Sequence, residues 1–366
     1  MHLMCFSFEL TDQEYVKEFA RMNVGVTLIP GKEDRFLEKG IGLLLSQFPY
    51  SILKYYSKNM EKALNALRQS NPFDILHVDH LHMAHYRGSF DGIPVILDEH
   101  NVEYKILERC VEVERSILKK MLFAAQARKM KRFEAEKVRE FSDVLAVSEG
   151  DRNILNSLGK NQTRVHVIPN GVDTEFFQLT IDARQSSGEA LVFTGSMDWL
   201  PNEDAVLFFC REILPLIWKE KPQIKFYIVG KSPSPAIEVL AGQEPRIIVT
   251  GKVDDVRPFI EQAKVFVVPM RVGGGTRLKI LEAMSMQKPV VSTTVGAEGI
   301  QYTDGKDIVL ADRPQDFADQ VIALLDDPSR AGRMGLSARK LVCDRYDWNI
   351  IGEKLCEIYR EALSVK

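Results

Sequence analysis

Short apolar runs rich in valine and isoleucine alternate along the chain with longer amphipathic segments. The runs occupy residues 2–6, 24–29, 73–78, 93–97, 144–147 and 165–168 in the first half, and 190–193, 225–229, 247–249, 265–268, 289–292 and 308–310 in the second. Apolar runs without strict alternation are typical of parallel strands covered by helices on both faces. The pattern predicts an α/β protein with two doubly wound domains of similar size, joined by a hinge over residues 174–189.

Composition and charge narrow the class of protein. The chain has 366 residues, of which 45% are hydrophobic, and a formal net charge of −3 at pH 7, so no global positive field attracts nucleic acid. The five cysteines are scattered without a close pair, as expected for reduced thiols in the cytoplasm. No stretch reaches the roughly 18 apolar residues of a membrane span, and the start has no signal-peptide pattern. We expect a soluble cytoplasmic protein.

The beginning of the chain departs from the usual order of a nucleotide-binding domain. Such a domain opens with a strand, a glycine-rich turn and a helix, whereas this chain is already in an apolar run at His2. We therefore expect the opening strand, turn and helix to be missing, either because this protein lacks them or because the chain starts late.

The stretch "VPMRVGGGTRLKILEAMSMQKPVVSTTVG", residues 268–296, contains the most informative motif. It predicts a strand over residues 265–268, a turn at residues 273–275 and a helix over residues 276–286. Consecutive glycines let the backbone approach a ligand closely, and the N-terminus of a helix offers unpaired N–H groups and a partial positive charge. The motif therefore predicts an anion site at the carboxyl end of a strand, where open α/β sheets bind ligands.

Three charged residues follow the glycines. Arg277 and Lys279 are placed to neutralise a diphosphate, because a helix terminus contributes only about 0.3 to 1 kcal/mol for each anionic charge. Glu282, on the same helical face as Lys279, can accept hydrogen bonds from ribose hydroxyls. The alternative is an ordinary glycine-rich loop with Lys279 and Glu282 paired on the surface.

Two common nucleotide motifs are absent from the sequence. No strand is followed by Gly-x-Gly-x-x-Gly, and no Gly-x-x-x-x-Gly-Lys-Ser/Thr loop occurs. The expected ligand is therefore phosphorylated but is neither NAD nor the ATP of a P-loop enzyme.

With these motifs the chain resembles the family 4 glycosyltransferases, retaining enzymes with the GT-B fold of two facing Rossmann-like domains. The matching segments, in the order of the family, are "VHVIPNGVDTEFF", "LVFTGSMDWLPNEDAVLFF", "FYIVG", "VTGKVDDVRPFI" and "KVFVVPMRVGGGTRLKILEAMSMQKPVVST". The resemblance implies an N-terminal acceptor-side domain over residues 1–175, a donor domain over residues 176–347, and a last helix within 348–366 that crosses back to the first domain. Within the family, the chain most resembles bacterial transferases of exopolysaccharide or cell-surface polysaccharide clusters.

The resemblance also implies which residues bind the donor. Glu282 matches the second glutamate of the Glu-x7-Glu motif, whereas the first falls at Gly274, which puts the identity of the sugar in doubt. The Arg and Lys pair of the family is missing after Gly195, and Arg277 and Lys279 are the expected substitutes. The predicted donor-binding residues are Gly195, Ser196, Val253, Gly274, Gly275, Thr276 and Glu282, and the predicted catalytic residues are His100, Arg277 and Lys279.

His100, in "IPVILDEHNVEY", resembles the family's histidine near the reacting sugar, and His80 matches a weaker histidine position. The alternative for His100 is a buried histidine bonded to a backbone carbonyl. Four histidines cluster in "HVDHLHMAHY", but no carboxylate cluster accompanies them and the family is metal-independent. We therefore expect neither a metal nor a cofactor.

The resemblance implies transfer of a sugar from a nucleotide diphosphate sugar to a hydroxyl of a polysaccharide or lipid-linked acceptor, with retention of configuration. Residues 115–141, "RSILKKMLFAAQARKMKRFEAEKVREF", combine basic residues with an apolar stripe. They predict either a solvated helix packed on the sheet or a contact with the anionic inner face of the plasma membrane. Two other functions stay open: a GT-B epimerase, and a non-catalytic or truncated protein that binds nucleotide sugars.

Overall fold

A computed structural model describes residues 1–8, 12–31, 46–90, 92–114, 116–179 and 189–364. Most of the predicted hinge, Arg115 of the basic segment, and residues 365–366 of the predicted last helix lie outside these ranges. The strands are β1 His2–Ser7, β2 Gly25–Pro30, β3 Leu76–Asp79, β4 Val95–Glu99, β5 Asp143–Ala146, β6 Arg164–Val167, β7 Ala190–Thr194, β8 Lys225–Val229, β9 Ile247–Gly251, β10 Val265–Val268, β11 Val290–Ser292 and β12 Val309–Leu310.

Helices alternate with these strands. They are α1 Asp12–Arg21, α2 Tyr50–Lys54, α3 Lys58–Ser70, α4 Glu103–Val113, α5 Ile117–Glu140, α6 Glu149–Leu158, α7 Leu200–Phe208, α8 Leu214–Glu220, α9 Pro235–Gln243, α10 Arg257–Gln262, α11 Leu278–Ser285, α12 Pro314–Asp326, α13 Pro328–Arg345 and α14 Trp348–Ser364. A 3-10 helix covers Leu81–Ser89, and a π-helical turn covers Phe209–Ile213 between α7 and α8.

All strand pairs between the described residues are parallel, and each predicted apolar run overlaps a strand. The described strands form three sheets, in which the strand orders are β1-β2, β3-β4-β5-β6 and β12-β11-β10-β7-β8-β9. The prediction of a two-domain α/β architecture with parallel sheets is confirmed. The boundary near residue 175 remains a prediction.

The six-stranded sheet carries the larger core. The Phe209 ring at the end of α7 contacts Phe226 of β8 and Phe317 of α12, with ring centroids 4.6 and 5.9 Å apart. All three side chains are fully buried, and each stabilises the fold by about 1.5 to 3 kcal/mol through burial. This core supports the loops at the carboxyl edge of the sheet.

The last helix, α14, packs on the four-stranded sheet of the N-terminal half. Ile358 and Ala362 are buried against Ile96 of β4 and Leu145 of β5. Because side chains alternate along a strand, Leu97 and Val144 point to the other face and join the second N-terminal core. The chain therefore returns to its first half after the six-stranded sheet is complete.

A cavity of about 740 Å³ lies between β1 and β3, which belong to different sheets. Its walls are mainly apolar and include residues 3–6 of β1 together with Leu76 and Val78 of β3. Trp199, from the loop before α7, also lines it. The cavity therefore reaches from the N-terminal half to the loop before α7 of the C-terminal half.

Candidate functional site

The glycine turn follows β10 and precedes α11. Gly273 (φ 140°) and Gly275 (φ 63°) both have positive φ values that residues with a Cβ rarely adopt. The helix begins at Leu278, two residues later than the sequence predicts, because Arg277 takes an extended conformation at the N-cap. Thr276 is buried beside Gly299, where a Cβ on the glycine would collide with it.

Arg277 is buried and folds back over the turn. Its Nη1 donates to the carbonyls of Gly274 and Gly275. Its Nε and Nη2 have no hydrogen-bond partner within the described part of the chain. Burial lowers the pKa of Arg277 to about 10, so the guanidinium stays charged at neutral pH. Arg277 therefore shapes the turn and keeps two buried donors for an anion.

Lys279 lies on the first turn of α11 and points toward β7. Its Nζ donates to Asn202 Oδ1 (2.8 Å) and lies 3.8 Å from the centroid of the Phe193 ring. Burial, with a smaller contribution from Arg277, lowers the pKa of Lys279 to about 7. This inward position differs from the surface pair with Glu282 that was the alternative in the sequence.

The loop after β7 completes this corner. β7 and β10 are paired, so the residues that follow them lie side by side at the carboxyl edge. A Cβ on Gly195 would lie 2.8 Å from Lys279 Nζ, so glycine leaves the room that the amine occupies. The carbonyl of Ser196 accepts from Asn202 Nδ2 (2.8 Å), which orients the amide toward Lys279.

Glu282 and Val253, two other predicted donor residues, lie on α11 and after β9. Glu282 is partly buried one helical turn after Lys279; burial raises its pKa, and Lys279 offsets part of that rise. Val253 follows β9 and packs at the border of the same core. The structure thus brings Gly195, Arg277 and Lys279 together, with Glu282 on the same helix.

Residues after β4 close over the glycine turn. With its amide nitrogen toward the turn, Asn101 donates to the carbonyl of Gly274 (2.8 Å). A Cβ on Gly275 would lie 2.6 Å from the same side-chain amide of Asn101 and would also strike the carbonyl of His100. Only glycine permits this approach, which brings His100 beside the predicted donor residues.

His100 is paired with a carboxylate rather than with the backbone carbonyl that was its alternative. Its Nε2 lies 2.7 Å from Asp79 Oδ1 and 3.7 Å from Asp98 Oδ2. The bond to Asp79 is the main cause that raises the pKa of His100, and the same bond lowers the pKa of Asp79. Sequence reasoning missed Asp79, because its position opposite Asp98 depends on the pairing of β3 with β4.

A second missed contact joins the two halves of the protein. Arg109 of α4 forms a two-pronged ion pair with Glu298, both N–O distances being 2.6 Å, and also donates to the carbonyl of Gly273. A cavity of about 730 Å³ lies beside this contact and is lined by residues from both halves, including Asp151 and Gly274. No sequence signal links Arg109 with Glu298, which are 189 positions apart.

The basic segment forms α5. At its N-terminal end Ile117, Leu118 and Met121 are 76, 80 and 66% exposed, whereas Met130 and Phe133 are buried in the N-terminal core. The helix therefore packs on the sheet at one end and exposes apolar side chains at the other. None of the helices within the described ranges is long and apolar enough to span a membrane.

Two family models match the chain. "Glycosyltransferase Family 4" matches residues 13–176, and "Glycosyl transferases group 1" matches residues 188–327. Each model matches one of the two parallel-sheet halves, and together they support a glycosyltransferase with the GT-B fold.

Relatives of this GT-B chain are distant. It is 26% identical over 164 residues to an "Uncharacterized 44.6 kDa protein in cps region" of Klebsiella pneumoniae, covering 43% of this chain and 42% of the relative. It is 24% identical over 228 residues to a GDP-mannose-dependent monoacylated alpha-(1-6)-phosphatidylinositol monomannoside mannosyltransferase of Corynebacterium glutamicum, covering 57% and 58%. The matches thus span about half the length of these curated relatives.

A solved structure extends the comparison to nearly the whole fold. Anabaena Alr3699/HepE in complex with UDP superposes with a TM-score of 0.70 at 14% identity, covering 98% of this chain and 92% of that chain. At this identity the likeness concerns the fold alone.

Proposed function

We propose that the protein transfers a sugar from a nucleotide diphosphate sugar to a hydroxyl acceptor, with retention of configuration. The observation that carries the proposal is the cationic corner of Arg277 and Lys279. Among the described residues, two guanidinium donors of Arg277 have no hydrogen-bond partner, and the amine of Lys279 contacts the neutral amide of Asn202 and the ring of Phe193. Buried cationic groups that are incompletely paired are costly unless an anionic ligand compensates them.

The leaving diphosphate is the group that this corner fits. As the bond to the sugar breaks, negative charge grows on the phosphate, and preorganised donors stabilise that charge more in the transition state than in the ground state. Arg277 and Lys279 supply the donors, and Glu282 accepts from the ribose. Loss of one such donor costs about 3 to 4 kcal/mol of transition-state stabilisation.

His100 positions the donor sugar in this proposal. Its Nε2 is already held by Asp79, so the imidazole has a fixed orientation at the end of β4. The departing phosphate takes the proton of the acceptor hydroxyl, as the resemblance to retaining family members implies. The acceptor lies on the N-terminal side, and closure of the two halves excludes water from the donor.

The proposed acceptor is a cell-surface polysaccharide or a lipid-linked glycan. Two relatives support this class, one by its place in a cps region and one by its phosphatidylinositol mannoside acceptor, as their names state. The proposed location is the cytoplasm, at the inner face of the membrane. Such a location suits an acceptor that is anchored in lipid.

The end of α5 is the proposed membrane contact. Ile117, Leu118 and Met121 are exposed there beside Lys119 and Lys120, a combination that favours anionic lipid surfaces. We expect flotation with vesicles that contain phosphatidylglycerol and little flotation with phosphatidylcholine vesicles. Equal flotation with both would contradict the electrostatic part of this proposal.

A donor panel tests the reaction itself. UDP-, GDP- and ADP-sugars are added to the protein and to its Lys279→Met variant, and thermal shift and nucleotide release are recorded. We expect one nucleotide class to raise the melting temperature of the wild type and to be released only when acceptor is present. Lys264→Met, an exposed lysine at the opposite end of β10, is the matched control. Binding without any acceptor-dependent release would identify a binding protein instead of an enzyme.

A further inference from the structure

Three side chains with metal-ligating atoms converge on the N-terminal side of the cleft. Asp79 and His80 stand at the end of β3, and His100 follows β4. One ligand atom from each, a carboxylate oxygen or a ring nitrogen, lies within 4.8 Å of the others. Asp79 and His80 also line the apolar cavity between β1 and β3, so the group borders open space.

The backbone turns sharply to bring His80 into this group. The N–H of His80 still donates to the carbonyl of Asp98 (3.1 Å), which continues the pairing of β3 with β4. His80 then adopts φ 71°, a left-handed conformation that is unusual for a residue with a Cβ. Its ring consequently stacks on that of His100, with the centroids 4.1 Å apart. Unusual backbone conformations of this kind concentrate at functional sites.

The donor set and the spacing suit a zinc ion. Zinc binds imidazole nitrogen and carboxylate oxygen at about 2.0 to 2.2 Å with tetrahedral geometry, which separates two ligands by roughly 3.4 Å. His100 Nε2 and Asp79 Oδ1 are 2.7 Å apart, within hydrogen-bond distance. Replacing this hydrogen bond by two bonds to zinc therefore requires the pair to widen by only about 0.7 Å.

A second carboxylate lies beside the three-residue group. Asp98 Oδ2 lies 3.7 Å from Nε2 of His100 and 3.4 Å from Nε2 of His77. Negative charge beside the group favours a bound cation.

We propose that Asp79, His80 and His100 form a zinc site with a fourth position open to the cavity. The site goes beyond the proposed sugar transfer, which needs no metal. It shares His100 with that reaction, so zinc and the donor sugar compete for the same imidazole. Zinc would thereby act as an inhibitor of the proposed transferase, held outside the diphosphate corner.

Titration calorimetry of the chelator-treated full chain with Zn²⁺ tests the site. We expect one zinc ion for each chain, and at least a tenfold loss of affinity in His80→Gln and in Asp79→Asn. His166→Gln is the matched control, because His166 also bonds a carboxylate, Asp143, at 3.0 Å but lies outside the three-residue group. Zinc held by a cysteine would bind His80→Gln as strongly as it binds the wild type, which would overturn the proposal.

Further readouts keep the test independent of folding defects and of the transferase proposal. Cobalt(II) in the wild type should give visible absorption bands that disappear on adding zinc; no bands, or no zinc binding, would refute the site. Thermal unfolding in EDTA shows whether either variant is misfolded. If one of His80→Gln and Asp79→Asn is misfolded, the zinc affinity of the other one tests the site. Lys279→Met should bind zinc normally but bind the nucleotide more weakly, so a failure at either site is recognised separately.

Discussion

Lys279 allows the sharpest prediction, because its ammonium group lies where charge is costly. Nζ is enclosed by Asn202 and the Phe193 ring, and burial lowers its pKa from 10.5 to about 7. At about 1.4 kcal/mol for each tenfold change in proton affinity, this shift corresponds to a charging penalty on the order of 5 kcal/mol. A bound diphosphate removes the penalty by pairing with the charge, so binding should return the pKa toward its usual value.

Nucleotide binding should therefore take up a proton. At pH 8 about one tenth of free Lys279 is charged, whereas nearly all of it is charged beside a diphosphate, so binding takes up about 0.9 proton for each chain. Calorimetry in two buffers with different ionisation enthalpies measures this number with the best-binding member of the donor panel. In Lys279→Met we expect no uptake above the background of other groups, and roughly thirtyfold weaker binding, from about 2 kcal/mol of lost charge-assisted bonding.

Stability should change with pH for the same reason. Between pH 7 and 10.5 the unfolded chain keeps a proton on this lysine that the folded chain has lost, so its contribution to the free energy of unfolding rises across that window. Below pH 7 both states are protonated and the full penalty remains. Lys279→Met should therefore gain stability relative to the wild type at pH 6.5 and lose that advantage by pH 10, in urea unfolding. The reasoning would be refuted if Lys279→Met took up as much proton as the wild type on binding nucleotide. It would also be refuted if the free energy of unfolding changed with pH in the same way in both proteins.

Two further substitutions test how the halves meet. Gly275→Ala should lower the free energy of unfolding by about 1 to 3 kcal/mol, because its Cβ would collide with Asn101 and the residue has a positive φ. Gly332→Ala is the control, because the space around Gly332 on α13 is open and the substitution should not destabilise the protein. Urea unfolding compares the two variants. Arg109→Gln removes the ion pair that joins α4 to Glu298 and should increase the radius of gyration in small-angle scattering, whereas Arg246→Gln, whose partner is two residues away, should leave it unchanged. An unchanged radius in Arg109→Gln would show that this ion pair does not hold the cleft closed.

The tertiary structure also changed the meaning of particular sequence signals. Arg277 was expected to face the ligand, yet part of its guanidinium organises its own turn, because the carbonyls of Gly274 and Gly275 are its nearest acceptors. In the sequence, no cluster of carboxylates accompanies the four clustered histidines, which argued against a metal site. Strand pairing nevertheless places Asp79 against His100. Such contacts depend on which strands are neighbours, which a local pattern does not encode.

The sequence by itself determined the strands, the parallel α/β class and the glycine turn before α11, because buried strands, helix faces and φ-permissive turns leave local signals in residue type and spacing. Only the tertiary structure decided that β7 and β10 set Gly195 beside Lys279, and that α4 reaches across to Glu298. Those contacts arise from sheet order and from the meeting of the two halves. They join residues far apart in the chain, and the pKa of Lys279 is lowered mainly because that packing removes water from its amine.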